Sequence, residues 1–199
     1  MRIAFAVLSY LVGSFPSGYL FFWASEKKDI RAFGSRATGA TNVLRLKGWK
    51  YALPVAFADI LKGFLPAFLA QNLFHDPQWS VICASLAVLG HCFPVYIGFR
   101  GGKGVATGGG AMFSIAFFPT LCSLGVLVVT IALTRFVSLG SILAALAFPL
   151  FLLLFKTPAA LVALSLPIVF VILVRHADNI RRLISGTERK FGEKNRVAS

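Results

Sequence analysis

The chain is poor in acid. Seven Asp and Glu stand against 20 Lys and Arg in 199 residues, and charged residues make up only 14% of the total. Soluble domains carry about 25% charged and roughly 45–50% apolar residues. With 57% hydrophobic residues and a mean hydropathy of +0.79, this chain is excluded from that class. Cysteine is scarce too: Cys83, Cys92 and Cys122 sit in or at the ends of apolar runs without paired spacing, so neither a disulfide framework nor a zinc site is indicated. A G-x-S-x-G nucleophile elbow, an H-E-x-x-H metal motif and a carboxylate pair suited to acid and base roles are all missing. No H-x-x-x-x-D pair exists either, since Ser80, Tyr96 and Arg181 stand five residues after the three histidines. Chemistry at this chain is expected to need no metal or cofactor and no strong protein base.

What is present is positive charge, +13 net, bunched between long apolar runs. A nucleic-acid binder spreads its Lys and Arg over a solvated face. Bunching instead follows from the bias of basic residues toward the cytoplasmic side of a membrane, and points to anionic headgroups or substrates. No nucleic acid is expected as a partner.

Apolar runs at 3–24, 51–71, 80–98, 105–118, 119–134, 137–155 and 157–174 reach or approach the roughly 20 residues a spanning helix needs. The first lacks an extended basic lead and a small-x-small cleavage site, so it reads as a span and not a removed signal peptide. Pro119 decides the count: 105–134 as one kinked helix gives six spans, and as two short helices gives seven. Charge separates the two. With seven spans and the N-terminus outside, segments 25–50, 98–104, 135–136 and 175–199 share the cytoplasmic side and hold 17 of the 20 Lys and Arg, all but Arg2, Lys62 and Lys156. With six, the basic tail would oppose the basic first loop. The expectation is an all-α integral membrane protein with seven transmembrane helices, N-terminus outside and C-terminus cytoplasmic, in one domain over 1–199. Its short central helices must thin the bilayer or line a polar cleft.

Three segments carry chemistry, and all fall on the cytoplasmic side of that arrangement. The first, Gly34 to Asn42 followed by Arg45, combines glycines with Ser35, Gly39, Thr41 and a guanidinium suited to phosphate, although a flexible polar loop has the same composition. The second runs from His91 to Gly108 and sets Lys103 among Gly98, Gly101, Gly102 and Gly104 at the start of an apolar helix. Free amides and the positive helix end there suggest a phosphate cradle, though not a Walker A motif, because Gly104 follows the lysine. Gly108 to Gly110 read as helix-packing glycines. The third, Arg175 to Glu188, places His176 and Asn179 on one helical face, the alternative being a basic membrane flank. Within the spans, Asp59 and Lys62 form the one charged pair, expected to support the site structurally, and Ser141 after the Arg135 turn is expected to face the same cleft.

At these residues the chain resembles the acyl-phosphate-dependent glycerol-3-phosphate acyltransferase family of bacterial membrane enzymes. The likeness runs through Ser17-Gly18-Tyr19, Asp29-Ile30-Arg31, Gly34 to Asn42 with Arg45, Asp59 to Gly63, Gly90 to Thr107, Val137 to Ser141 and Arg175 to Glu188. The first segment departs from the family's G-S-G-N-x-G-A-T-N, having Arg36 and Ala37 where that pattern has Gly and Asn. An Asn role at position 37 is therefore not carried over. The resemblance implies transfer of a fatty acyl group from acyl phosphate to the 1-hydroxyl of glycerol 3-phosphate, giving lysophosphatidate and phosphate. It also implies a site open to the cytoplasm of the bacterial inner membrane, the first acylation of phospholipid synthesis, and a partner in the enzyme that supplies acyl phosphate.

On that footing Arg45, Lys103, His176 and Asn179 are expected to hold the acceptor phosphate. Ser35, Thr41, Asn42, Gly102 and Ser141 are expected at the donor phosphate and developing oxyanion, with Gly39, Gly104 and Glu188 also contacting substrate. The rival reading is an organophosphate anion transporter. It needs polar groups along a route through the membrane, and the later spans have few.

Overall fold

The computed structural model describes residues 1–193, and these fold into helices and turns with no strand among them. Helices α1 (Arg2–Gly13) and α2 (Ser17–Glu26) form one apolar stretch that is broken between Ser14 and Pro16, where proline supplies no N–H. A loop with a short 3-10 turn leads to the amphipathic α3 (Ala40–Lys47). Gly48, at φ +80°, turns the chain into the long α4 (Trp49–Phe74). Asp76 caps α5 (Pro77–Cys92) by accepting from Gln78 N at 3.0 Å. Next come α6 (Val105–Ile115), α7 (Phe117–Thr134), α8 (Val137–Leu154), α9 (Ala159–Arg175) and the short α10 (Ala177–Ile184), which bends 54° away from α9.

Among the described residues, five helical stretches are long and apolar enough to cross a membrane, and α9 with α10 makes a sixth if the bent pair is one span. At 1.5 Å per residue the 11 residues of α6 rise only ~16 Å, about half a bilayer core. The run read as 105–118 and 119–134 does divide, but at Ala116, and Pro119 lies in the first turn of α7 where its missing N–H costs nothing.

The core sits around α5, which packs against α1, α4, α6 and α9. Its centre is built of modest side chains such as Ala84, Val88, Cys92 and Ala111, with Phe148, Ile168 and Ile172 around them. The large apolar residues face outward: Phe57 is 64% exposed, Phe170 67% and Leu133 80%. That inverted pattern suits a hydrocarbon surround, in which helix contact depends on close packing. Backbones approach where side chains vanish. A methyl on Gly63 would overlap the carbonyl of Thr107, and one on Gly110 would overlap that of Ile60, so α4 and α6 touch main chain to main chain.

The buried Asp59 and Lys62 pair at 2.8 Å. Lys62 Nζ also donates to Phe15 O at 2.8 Å, and Ser17 Oγ donates to Asp59 Oδ1 at 2.5 Å. The pair thus serves the backbone opened by the break before α2, a structural use in line with the sequence.

Candidate active site

A cavity of about 610 Å³ opens between α3, α4, α6, α7, α8 and α9. At one end Ser35, Gly39, Thr41, Asn42, Arg45, Lys103, Gly104, Ser138, Ser141, His176, Asn179 and Glu188 line it. Away from that end its wall is mostly apolar, with Ile60, Met112, Phe113, Leu127, Phe148 and Ile168 beside Thr120 and Ser123. The three segments picked from the sequence therefore meet, and of the expected site residues only Gly102 stands behind the lining.

Lys103 reaches the cavity from the loop before α6. Its Nζ donates to Asn179 Oδ1 at 2.5 Å, and Asn179 Nδ2 donates to Glu188 Oε1 at 2.8 Å. Ser138 Oγ also donates to Oε1, at 2.9 Å, and Arg182 Nε to Oε2 at 2.7 Å. Both Glu188 oxygens accept from protein donors, and the carboxylate turns the Asn179 amide toward Lys103. Burial opposes its charge, but the hydrogen bonds from Asn179, Arg182 and Ser138 prevail and hold the carboxyl below its ordinary range. Burial, with Arg189 and Arg182 nearby, draws Arg45 down against the pull of Glu188 and Glu193, without threatening a charge that normally survives past pH 12.

Burial, with Arg182, Arg45 and Arg175 nearby, drives the Lys103 ammonium down to about 8, against the pull of Glu188. Between pH 8 and its ordinary 10.5 the unfolded chain holds a proton the folded site has lost, so this group's contribution to stability rises with pH across that window. An anion laid against the ammonium restores the proton. Inorganic phosphate binding just above pH 8 will therefore take up protons, and calorimetry in two buffers of different ionisation enthalpy will read this as a buffer-dependent heat. Equal heats would place Lys103 outside the anion site.

His176, expected at the acceptor phosphate, brings no positive charge there. Burial and the neighbouring Lys103 push it down to about 4, and its Nδ1 lies 2.7 Å from Ile172 O, which fixes the N–H on that nitrogen. The ring is neutral at pH 7 and offers Nε2 as an acceptor, a partner for a hydroxyl. Its stabilising effect is present above pH 6.5 and lost as pH falls toward 4.

The free-amide cradle also changes. Gly101 N donates to Cys92 O at 3.2 Å and Gly102 N to His91 O at 3.0 Å, so neither is free for a ligand. Gly104, at φ +83°, turns the chain into α6, and the open amides are those of the first helical turn beyond it. Asn42 is similarly committed. Its Oδ1 accepts from Ser35 N at 2.9 Å while Nδ2 donates to Phe33 O and Ala37 O, so it shapes the loop that presents Ser35. Ser141 Oγ donates to Val137 O at 2.8 Å and keeps only its lone pairs for the cavity. Gly108 and Gly110 pack against neighbouring helices as expected, but a methyl on Gly109 would meet nothing, and this residue lines the cavity.

Arg175, included in the third segment but given no role of its own, is the main omission. Its Nε and Nη2 donate at 3.0 Å each to Gly102 O and Gly101 O while its guanidinium lies over Phe93, clamping the Lys103 loop. Only the adjacency to His176 hinted at this. Arg175→Met is expected to leave the fold intact and weaken activity about tenfold through loss of the clamp; unchanged steady-state kinetics would remove that role.

Residues 3–186 match the glycerol-3-phosphate acyltransferase family. The chain is 41% identical over 191 residues to a glycerol-3-phosphate acyltransferase of Geobacter sulfurreducens, covering 96% of this chain and 97% of that one. It is 44% identical over 188 residues to one from Synechococcus sp. strain CC9902, covering 94% of each. Among solved structures it is similar to the glycerol 3-phosphate form of PlsY (YgiH), an integral membrane glycerol 3-phosphate acyltransferase, with a TM-score of 0.92 and 38% identity over 96% of both chains. The lysophosphatidic acid form of that protein gives a TM-score of 0.88.

Proposed function

The chain belongs to the glycerol-3-phosphate acyltransferase family, and from that premise we propose that its cavity brings acyl phosphate and glycerol 3-phosphate together. It is a multi-pass membrane enzyme that acylates glycerol 3-phosphate. The observation that carries the donor assignment is the two-part cavity: cations and hydroxyls gather at one end, and an apolar wall suited to a fatty chain fills the rest.

In the proposed reaction the 1-hydroxyl oxygen of glycerol 3-phosphate bonds to the acyl carbonyl carbon, the carbon–oxygen bond to phosphate breaks, and lysophosphatidate and inorganic phosphate leave. The leaving phosphate takes the hydroxyl proton. Acyl phosphate is already activated, so positioning and charge stabilisation supply most of the acceleration. Arg45, Lys103 and Asn179 hold the acceptor phosphate, and His176 Nε2 accepts from an acceptor hydroxyl. Ser35, Thr41 and Ser141 sit with the donor, helped by the first-turn amides of α6. His176→Ala is then expected to raise KM for glycerol 3-phosphate about tenfold with kcat nearly kept, whereas a collapsed kcat at saturating substrate would make His176 the general base.

For topology we propose seven spans with the short α6 counted as one, N-terminus outside and the site facing the cytoplasm of the inner membrane. Two features support this. Lys103, Arg135, Arg175 and Arg182 lie at the helix ends beside the site. Arg2 pairs at 3.2 Å with Asp76, which puts the N-terminus beside the α4–α5 turn. The enzyme that forms acyl phosphate is the proposed partner.

The decisive experiment gives purified protein acyl phosphate and glycerol 3-phosphate with no acyl-CoA. Phosphate and lysophosphatidate are expected to appear in equal amounts. Release of neither, with glycerol 3-phosphate carried across proteoliposomes, would favour the transporter.

A further inference from the structure

The mechanism above leaves one set of buried titratable groups unused. Asp59 is 1% exposed, Lys62 6% and His91 5%, and Asp59 Oδ2 has no hydrogen-bond partner among the described residues although Asp59 and His91 both reach the cavity lining. Holding such charges among spans is costly, and apolar side chains of similar size would often stabilise the helices as well or better. Their value has to lie in geometry.

That geometry leads to Lys103. His91 Nδ1 lies 3.5 Å from Asp59 Oδ1, within ion-pair reach, and Asp59 is itself fixed by Lys62 and Ser17. On its other side the imidazole lies directly beneath Gly102: a methyl there would overlap Nε2, with Cε1 and Cδ2 close behind. Gly102 N meanwhile donates to the backbone oxygen of the same His91. Arg175 grips the Gly101 and Gly102 carbonyls. The residue before Lys103 is thus held by an imidazole under its α-carbon and a guanidinium on its carbonyl. This accounts for glycine at 102 without any free amide, because only a residue with no β-carbon can rest on the ring.

We infer that His91, oriented by Asp59, is a positioning residue that sets from behind the height at which Lys103 meets the acceptor phosphate. The inference rests on the proposed assignment of Lys103 to that phosphate. A ring tethered to a carboxylate that is bonded to Ser17 of α2 and Lys62 of α4 cannot swing away, so the loop above it has one resting level. Without the ring, Gly102 loses its floor and the ammonium drops from its place beside Asn179.

The test compares wild type, His91→Ala, His91→Gln, Gly102→Ala and the double variant His91→Ala/Gly102→Ala, with KM measured separately for acyl phosphate and glycerol 3-phosphate. His91→Ala should raise KM for glycerol 3-phosphate about tenfold or more and change that for acyl phosphate less than about threefold. A merely structural loss would reduce active protein and lower kcat alone. His91→Gln, which can still donate to Asp59 and fill the floor, should recover much of the loss. Gly102→Ala should be nearly inactive, and the double variant should regain activity over it, since the overlapping ring is gone. The inference is overturned by equal effects on both KM values, or by a double variant no better than Gly102→Ala. If His91→Ala fails to fold, the Gln variant and the Gly102 comparison decide by the same criteria. Wild type unable to use acyl phosphate would sink the donor assignment instead, and glycerol 3-phosphate binding by the same five proteins would still read the position of Lys103.

Discussion

Lys103→Ala is expected to lower kcat/KM on the order of a thousandfold, the loss typical of removing a charge-stabilising group from a desolvated site. The protein should stay folded. The ammonium is held down to about 8 mainly by burial, so its removal relieves a folding cost, and the freed Asn179 remains bonded to Glu188. Lys103→Arg is expected to rescue little, because a planar fork cannot replace a compact charge in a pocket bounded by Asn179 and His176. The measurement pairs steady-state rates with thermal unfolding in detergent. Near-normal turnover, or a loss tracking a lowered unfolding midpoint, would refute the assignment.

The second large effect concerns stability. Asp59→Ala leaves Lys62 buried with only the Phe15 carbonyl and should cost about 3–5 kcal/mol, the usual penalty for stranding one member of a buried pair. Asp59→Leu combined with Lys62→Met should recover most of that, since no unpaired charge remains. The coupling energy from the cycle of single and double variants gives the interaction directly. A double variant as unstable as Asp59→Ala would show that the pair is not what the helices depend on. The double variant is nonetheless expected to be a poor enzyme, because it leaves His91 without its carboxylate.

Hydropathy alone located the helical stretches, since a lipid-facing helix must be apolar over its length whatever its partners. It could not show the break between α1 and α2, where Pro16 interrupts a run that stays apolar throughout. The convergence of the three polar segments was legible from the side of the membrane to which their charges assign them. Their internal roles were not. Asn42, Gly102 and Glu188 look like ligand residues because amides, glycines and carboxylates serve equally as ligands and as loop fasteners, and only the hydrogen bonds distinguish the two. Arg175 was hidden for the same reason, being indistinguishable in sequence from a residue at a membrane surface. The neutral state of His176 was not legible either, because its burial depends on neighbours more than 70 residues away such as Lys103.

The brevity of α6 has a consequence for traffic. Beside that short helix, Gly109, Ile60 and Leu124 line the cavity and are themselves exposed, so α6 does not close off the apolar length of the chamber. The two products of the proposed reaction differ in solubility. Inorganic phosphate can depart through the charged mouth into water, while the newly acylated lipid can slip sideways into the leaflet without its tail ever meeting water. Release of one need not wait for the other, and the greasy product has no reason to queue at the entrance used by the next glycerol 3-phosphate.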